Sequence, residues 1–223
     1  MTTHRALPLL AALLAVSWSL GACARDPEPA LSRWKAGTNY QLLASPQPTN
    51  VAAGRVEVAE VFWYGCGHCY ALDPSLETWN AGKAAYIDFV RIPVMWGLAQ
   101  RQHAKLYYTI QALHRPDLHA QAFDAIHLHG MPLGAKDQVE TRAMHLRFFE
   151  SKGITEKEFN AAYDSMTVAA NLERAEQLTR QYAIGSVPTL IVGGKYSTSL
   201  GEAGSTEQLL SLLNDLAASE KNR

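Results

Sequence analysis

The stretch from Glu60 to Tyr70, Glu-Val-Phe-Trp-Tyr-Gly-Cys-Gly-His-Cys-Tyr, limits what this chain can fold into more than any other. From Val56 to Tyr64, β-branched and aromatic residues crowd together, the pattern of a buried strand. Gly65 breaks the run, and Cys66-Gly67-His68-Cys69 opens a helix expected to reach Gly82. The first turn of a helix carries backbone N–H groups without intrahelical partners and the positive end of the dipole. Both favour thiolate over thiol, and the thiolate is the species that attacks a disulfide or binds a metal. Two thiols three residues apart on that turn can close a small ring. The stretch therefore reads as a redox site, with half of a zinc site as the rival. Zinc needs two further ligands at comparable spacing. No second CxxC exists, and the nearest candidate pair, His127-Leu128-His129, reads as a solvated helix end or loop.

The 223 residues suffice for a full core, as one large domain or one domain with an insertion. A net charge of −1 offers no basic surface for nucleic acid. Three cysteines are too few for a disulfide framework, so their positions matter more than their number.

Residues 1–23 read as an export signal: Arg5 and the amino terminus precede an apolar run, Ala6 to Leu20, too short to span a membrane comfortably. Its end supports two readings. Leu20-Gly21-Ala22-Cys23 resembles a bacterial lipobox, which would make Cys23 a lipidation site, while Ala22-Cys23-Ala24 fits ordinary cleavage. Residues 24–38 are expected to be a linker. Residues 39–96 form the first part of an α/β unit: an edge strand from Asn39 to Leu43, the central strand, and a helix with Leu72, Leu76 and Trp79 on one face. That helix carries Asp73-Pro74, where a kink is expected. A second strand, Ala85 to Val94, completes a β–α–β unit.

Residues 97–166 carry no strand signal and read as a helical insertion. Leu106, Ile110 and Leu113 mark one helix, Ala122 and Ile126 a second, and Met144, Phe148 and Phe149 a third. Thr155 to Glu158 is a capping box before Phe159, Tyr163 and Met166. Residues 167–223 return to the α/β unit: a helix to Tyr182, strand Leu190 to Val192, a Gly193-Gly194 turn and an antiparallel partner. A second capping box, Ser205 to Gln208, starts a terminal helix with Leu209, Leu213 and Leu216 on one face.

Together these features resemble the DsbA family, thioredoxin-fold oxidoreductases of the bacterial cell envelope with an inserted helical domain. The resemblance spans Asn39 to Leu216. It rests on the aromatic strand with its CxxC, the helical insertion, and Val187-Pro188 before the strand-Gly-Lys-Tyr hairpin. It implies an exposed nucleophile at Cys66, a resolving thiol at Cys69, a cis-proline at Pro188 facing the pair, and a substrate-binding backbone at Val187. Glu60, six residues before Cys66, matches the family's buried acid. Its place between Val58 and Phe62 also favours burial, where a carboxyl tends to hold its proton and could accept one from Cys69. His68 is either a helix-surface residue or a donor to the Cys66 thiolate. Gly67 stands where many members carry proline, and the Gly-His pair matches protein disulfide isomerases; this bears on the redox potential, not the reaction type.

The implied activity is donation of the Cys66–Cys69 disulfide to exported proteins with free thiols in the periplasm, with reoxidation by a DsbB-like membrane quinone reductase. No cofactor is called for. The same chemistry run as a reductase or isomerase is the first alternative, although a dimeric isomerase needs a dimerisation domain for which there is no room before Val56. A CxxC protein binding zinc or copper is the second. If Cys23 is lipidated, Cys23→Ser moves the protein from the membrane fraction to the soluble periplasm, because each buried acyl CH₂ holds it by about 0.8 kcal/mol. A soluble distribution of the unchanged protein would establish ordinary cleavage instead.

Overall fold

The structure, a computed structural model, describes Met1 and residues 31–221; the signal segment and Cys23 lie outside the described residues. Strand β2 (Val56–Phe62) is buried along its whole length. It lies between β3 (Ile87–Pro93), parallel to it, and β4 (Thr189–Val192), antiparallel. Beyond β4 come β5 (Tyr196–Thr198) and the edge strand β1 (Gln41–Leu42), so the order is β1-β5-β4-β2-β3. A strand covered on both faces explains why its sequence is an almost continuous apolar run instead of an alternation.

Side chains still alternate across the sheet. Val56 and Val58 of β2 and Ile87 of β3 pack on Leu72, Leu76 and Trp79 of α1 (Gly67–Gly82) and on the leucines of α8 (Thr206–Lys221). Ala59, Val61 and Ile92 face the other way, into a core shared with the helices between β3 and β4. These are α2 (Leu98–Ala112), α3 (Asp117–His127), α4 (Gln138–Glu150), α5 (Glu156–Tyr163) and α6 (Met166–Gln181). No strand interrupts them. A short α7 (Leu200–Ala203) precedes α8 and has no clear signal in the sequence.

Local chemistry sets the boundaries. The Thr155–Glu158 capping box is reciprocal: Glu158 N–H reaches Thr155 Oγ1 at 3.3 Å and Thr155 N–H reaches Glu158 Oε2 at 2.9 Å. Ser205 Oγ accepts from Gln208 N–H at 3.1 Å at the start of α8. Helix α1 continues through Pro74. Three expectations are corrected. Strand β2 stops at Phe62, and Trp63 to Gly65 form the turn into α1. Met166 does not share the apolar face of Phe159 and Tyr163: α5 has already ended, and Met166 opens α6 with its side chain in solvent. Part of the supposed linker is docked, since Arg33 Nε and Trp34 Nε1 donate to Asp215 of α8 at 2.8 and 2.7 Å.

The β4–β5 turn closes with Lys195 N–H on Val192 O at 3.0 Å, and Gly193 and Gly194 both have positive φ, 57° and 63°. A Cβ at Gly194 would stand 2.1 Å from the Gln47 carbonyl oxygen, which is backbone and cannot swing aside. Gly194→Ala is expected to lower the unfolding free energy by about 2 kcal/mol or more, from left-handed strain plus the clash. Urea unfolding of the purified variant checks this, and a midpoint equal to the parent's would contradict it.

Candidate active site

The β2–α1 junction places Cys66 as the N-cap of α1, in extended conformation (φ −87°, ψ 113°), where its Sγ accepts from Cys69 N–H at 3.2 Å. A thiol thus fills the place usually taken by a hydroxyl or carboxylate cap. No acidic side chain sits in the first turn to compete for the positive end of the helix. Gly65 admits the turn: a Cβ there would fall 2.4 Å from the Trp63 ring. Cys66 is half-buried and Cys69 fully buried, both as free thiols.

Cys66 is lowered from 9.0 to about 6. The main cause is the hydrogen bond from the Cys69 side chain, followed among the stabilising effects by the backbone N–H groups of Cys69 and His68 and by the charge of His68; partial burial opposes them. The same hydrogen bond, with burial, drives Cys69 strongly upward. Of the two sulfurs, Cys66 is the more readily ionised and Cys69 holds its proton. His68 is exposed and acts on Cys66 through its backbone N–H and its charge; among the described residues no imidazole hydrogen bond reaches the thiol. Across the cleft, the Val187–Pro188 peptide bond is cis, and the Cys66 thiol faces the Val187 carbonyl oxygen at 3.5 Å.

Glu60 is 1% exposed and lies beneath this pair. Burial raises it to about 7 against the pull of Arg91, with Asp73 adding to the rise. Sequence reasoning placed Glu60 in the interior but missed its partner. Arg91 stands opposite it in the parallel β2–β3 register and donates from Nε to Oε2 at 2.9 Å. Strand parity carried that signal: Glu60 is fifth in β2 and Arg91 is fifth in β3, each the charged residue of its run that points at α1. Arg91 also meets Asp73 and Glu77 of α1, each at 2.7 Å. Asp73 accepts from His119 Nε2 at 3.2 Å, and His119 Nδ1 accepts from the Tyr64 hydroxyl at 2.8 Å. Burial pushes His119 down, so at neutral pH this is a neutral imidazole between a phenol and a carboxylate. Burial also opposes the charge on Asp73, but His119 and Arg91 outweigh it and hold the carboxyl below its usual range.

His127, read from sequence as a solvated residue, is tied to the site: its Nε2 lies 2.8 Å from the Tyr64 carbonyl, and its ring stacks on Tyr70 at 4.6 Å. Tyr70 in turn donates to Asp124 at 2.9 Å, so α3 clamps the first turn of α1. Beside the Gly65 turn opens an apolar cleft of about 410 Å³, lined by Trp63, Leu98, Ala99, Ile126 and Pro132 among others. Among the described residues no cluster of three or more His, Cys, Asp or Glu side chains is placed to hold a metal ion.

No family model matches the chain. Curated relatives do. It is 32% identical over 214 residues to the thiol:disulfide interchange protein DsbA of Pseudomonas aeruginosa, covering 96% of both chains. It is 35% identical to the DsbA of Burkholderia cepacia, over 87% of this chain and 91% of that one. The chain belongs to the DsbA family. The crystal structure of Pseudomonas aeruginosa DsbA agrees, with a TM-score of 0.77 at 33% identity over 85% of this chain and 95% of the other. The oxidoreductase NmDsbA3 of Neisseria meningitidis gives a TM-score of 0.71 at 26% identity, over 85% of this chain and all of that one. The fold is therefore the thioredoxin fold with a helical insertion, and the chemistry is thiol–disulfide exchange.

The lowered thiol makes a titration prediction. In the reduced protein, thiolate absorbance in the ultraviolet should appear with a midpoint near 6. Cys69→Ala should raise that midpoint by removing the side-chain hydrogen bond that contributes most. A midpoint at the ordinary thiol value in the parent would contradict the stabilising geometry.

Proposed function

We propose that the chain is an exported oxidant that donates a Cys66–Cys69 disulfide to newly translocated proteins. The observation that carries this reading is the asymmetry of the pair: a stabilised thiol at the helix N-cap, facing the Val187 carbonyl, above a buried thiol that keeps its proton. A substrate thiolate attacks Cys66 Sγ, the Cys66–Cys69 bond breaks, and Cys69 leaves as thiolate and takes a proton. A second substrate thiolate then attacks the substrate sulfur of the mixed disulfide, and Cys66 leaves as thiolate with the electron pair. A stable thiolate is a good leaving group, so the exchange runs towards oxidised substrate.

Val187 and Pro188 flank the mixed disulfide, and the Val187 carbonyl serves as acceptor for a substrate backbone N–H. The apolar cleft beside Gly65 suits hydrophobic segments of an unfolded chain. Glu60 handles the Cys69 proton. Work in the periplasm, anchorage through a lipid on Cys23 and reoxidation by a DsbB-like membrane partner complete the reading; among the described residues no helix is long and apolar enough to cross a membrane.

Cys66→Ser should abolish exchange, and Cys69→Ala should accumulate mixed disulfides with substrate proteins, since no internal thiol remains to release them. Retained activity in the Cys66 variant with no trapping in the other would reverse the roles. Paired urea melts separate oxidant from reductant. A folded thiol value below the unfolded one stabilises only the reduced form. That gain is complete above the unfolded value of 9.0 and is lost as pH falls through about 6. The oxidised form has no thiolate, and its short ring constrains little of the unfolded chain. The reduced protein should be the more stable at pH near 7, by a margin that shrinks in acid. A more stable oxidised form at neutral pH would favour the reductase.

A further inference from the structure

The Arg91 fork does not close on Glu60. A guanidinium beside a carboxylate favours two parallel hydrogen bonds, from Nε and the adjacent terminal nitrogen. Arg115 does this on Asp117 in the same molecule, Nε to Oδ1 and Nη2 to Oδ2, each at 2.7 Å. Arg91 instead splits. Its Nε donates to Glu60 Oε2 at 2.9 Å, while Nη2 goes to Asp73 Oδ1 at 2.7 Å and meets Glu77 Oε1 at 2.7 Å. Glu60 Oε1 is consequently buried with no hydrogen-bond partner. An orphaned buried carboxylate oxygen costs free energy unless something is meant to fill it.

We propose that Asp73, steadied by His119, is a positioning residue for disulfide exchange: by taking the second arm of the Arg91 fork it leaves Glu60 Oε1 open to receive the proton of Cys69. This rests on the role assigned to Glu60 above and deepens it. In the step concerned, Cys66 is joined to a small thiol in a mixed disulfide. Cys69 sulfur attacks Cys66 Sγ, the Cys66–thiol bond breaks, the small thiol leaves as thiolate, and the proton of Cys69 passes to Glu60. One disulfide forms as one breaks, so no outside oxidant is needed.

The groups facing Glu60 are few and all named. Arg91 comes from β3, and Cys66, Cys69, Asp73 and Glu77 come from α1. Tyr107 of α2 and Tyr64 are buried phenols held protonated, and His119 of α3 reaches the cluster only through Asp73 and Tyr64. Strand β4, which pairs with β2 at Leu190, contributes no ionisable residue. Of the acids competing for Arg91, Glu77 is half exposed and Asp73 is buried, with side-chain exposures of 50% and 6%. Asp73 is the one held in place.

The test is the pH dependence of glutathione release from the full chain carrying glutathione on Cys66. In the parent, release should rise through the titration of Glu60 and then level. In Asp73→Asn the fork can close on Glu60 and hold it as carboxylate. The midpoint should move to lower pH by about one unit, a tenfold change in the proton affinity of the base, and the plateau should fall. If Asp73→Asn does not fold, Glu77→Gln, at a half-exposed position, should move the midpoint the same way by less. His119→Gln, which can still donate to Asp73, should leave the midpoint close to the parent's. A midpoint unmoved or raised in Asp73→Asn, or in Glu77→Gln where that stands in for it, overturns the proposal. Glu60→Gln keeps the two readings apart. It should abolish the midpoint, and a midpoint that persists there removes the role of Glu60 itself, and this proposal with it.

Discussion

A helix that starts at residue 67 leaves its first amide hydrogens without partners, and here the atom that accepts one of them is Cys66 Sγ, 3.2 Å from the Cys69 nitrogen. That capping bond is one of the interactions that favour thiolate at Cys66, beside the larger contribution of the hydrogen bond from the Cys69 side chain. Anything that keeps α1 seated therefore keeps Cys66 a good leaving group. Strand β2 delivers the chain to that point, buried on both faces, and Leu72, Leu76 and Trp79 hold α1 against the sheet. On the other side Tyr70, Asp124 and His127 fasten the first turn to α3. The helical insertion is thus not an independent appendage: it supports the reactive turn directly.

The polar cluster under that turn is costly and correspondingly well satisfied. Burying a carboxylate is tolerable only with a partner of opposite charge and a filled set of hydrogen bonds. Arg91 supplies the charge to three acids at once, and His119 and Tyr64 extend the hydrogen bonds to α3 and back to the end of β2. The exception is Glu60 Oε1. Within the cluster around Arg91 this is the atom left bare, and it lies on the acid whose charge is coupled to both cysteines. Pairing alone would have been served better by a closed fork.

How far the site was legible in the sequence depends on the distance over which each part is assembled. Cys66, His68 and Cys69 lie within one helical turn, so spacing alone revealed them. The Thr155–Glu158 and Ser205–Gln208 starts were legible for the same reason, since a cap involves neighbours three residues apart. Val187 lies 121 residues from Cys66, whose thiol meets its carbonyl, and family resemblance, not local pattern, pointed to it and to Pro188. For His68 an imidazole hydrogen bond to the thiolate was expected; among the described residues none is formed, and the exposed His68 acts through its backbone N–H and its charge.

The sequence by itself determined the order of the elements apart from α7, the redox character of the CxxC and the burial of β2, because each follows from periodicity or from contacts between near neighbours. Only the tertiary structure decided what surrounds Glu60. Arg91, Asp73 and His119 lie 31, 13 and 59 residues away from it, and their convergence depends on the β2–β3 register and on where α3 lands. It likewise decided that His127 fastens the turn before Cys66 and that Arg33 and Trp34 dock on α8. Charged and aromatic side chains in a sequence announce that they need partners; which partner each one finds is settled only when packing fixes the distances.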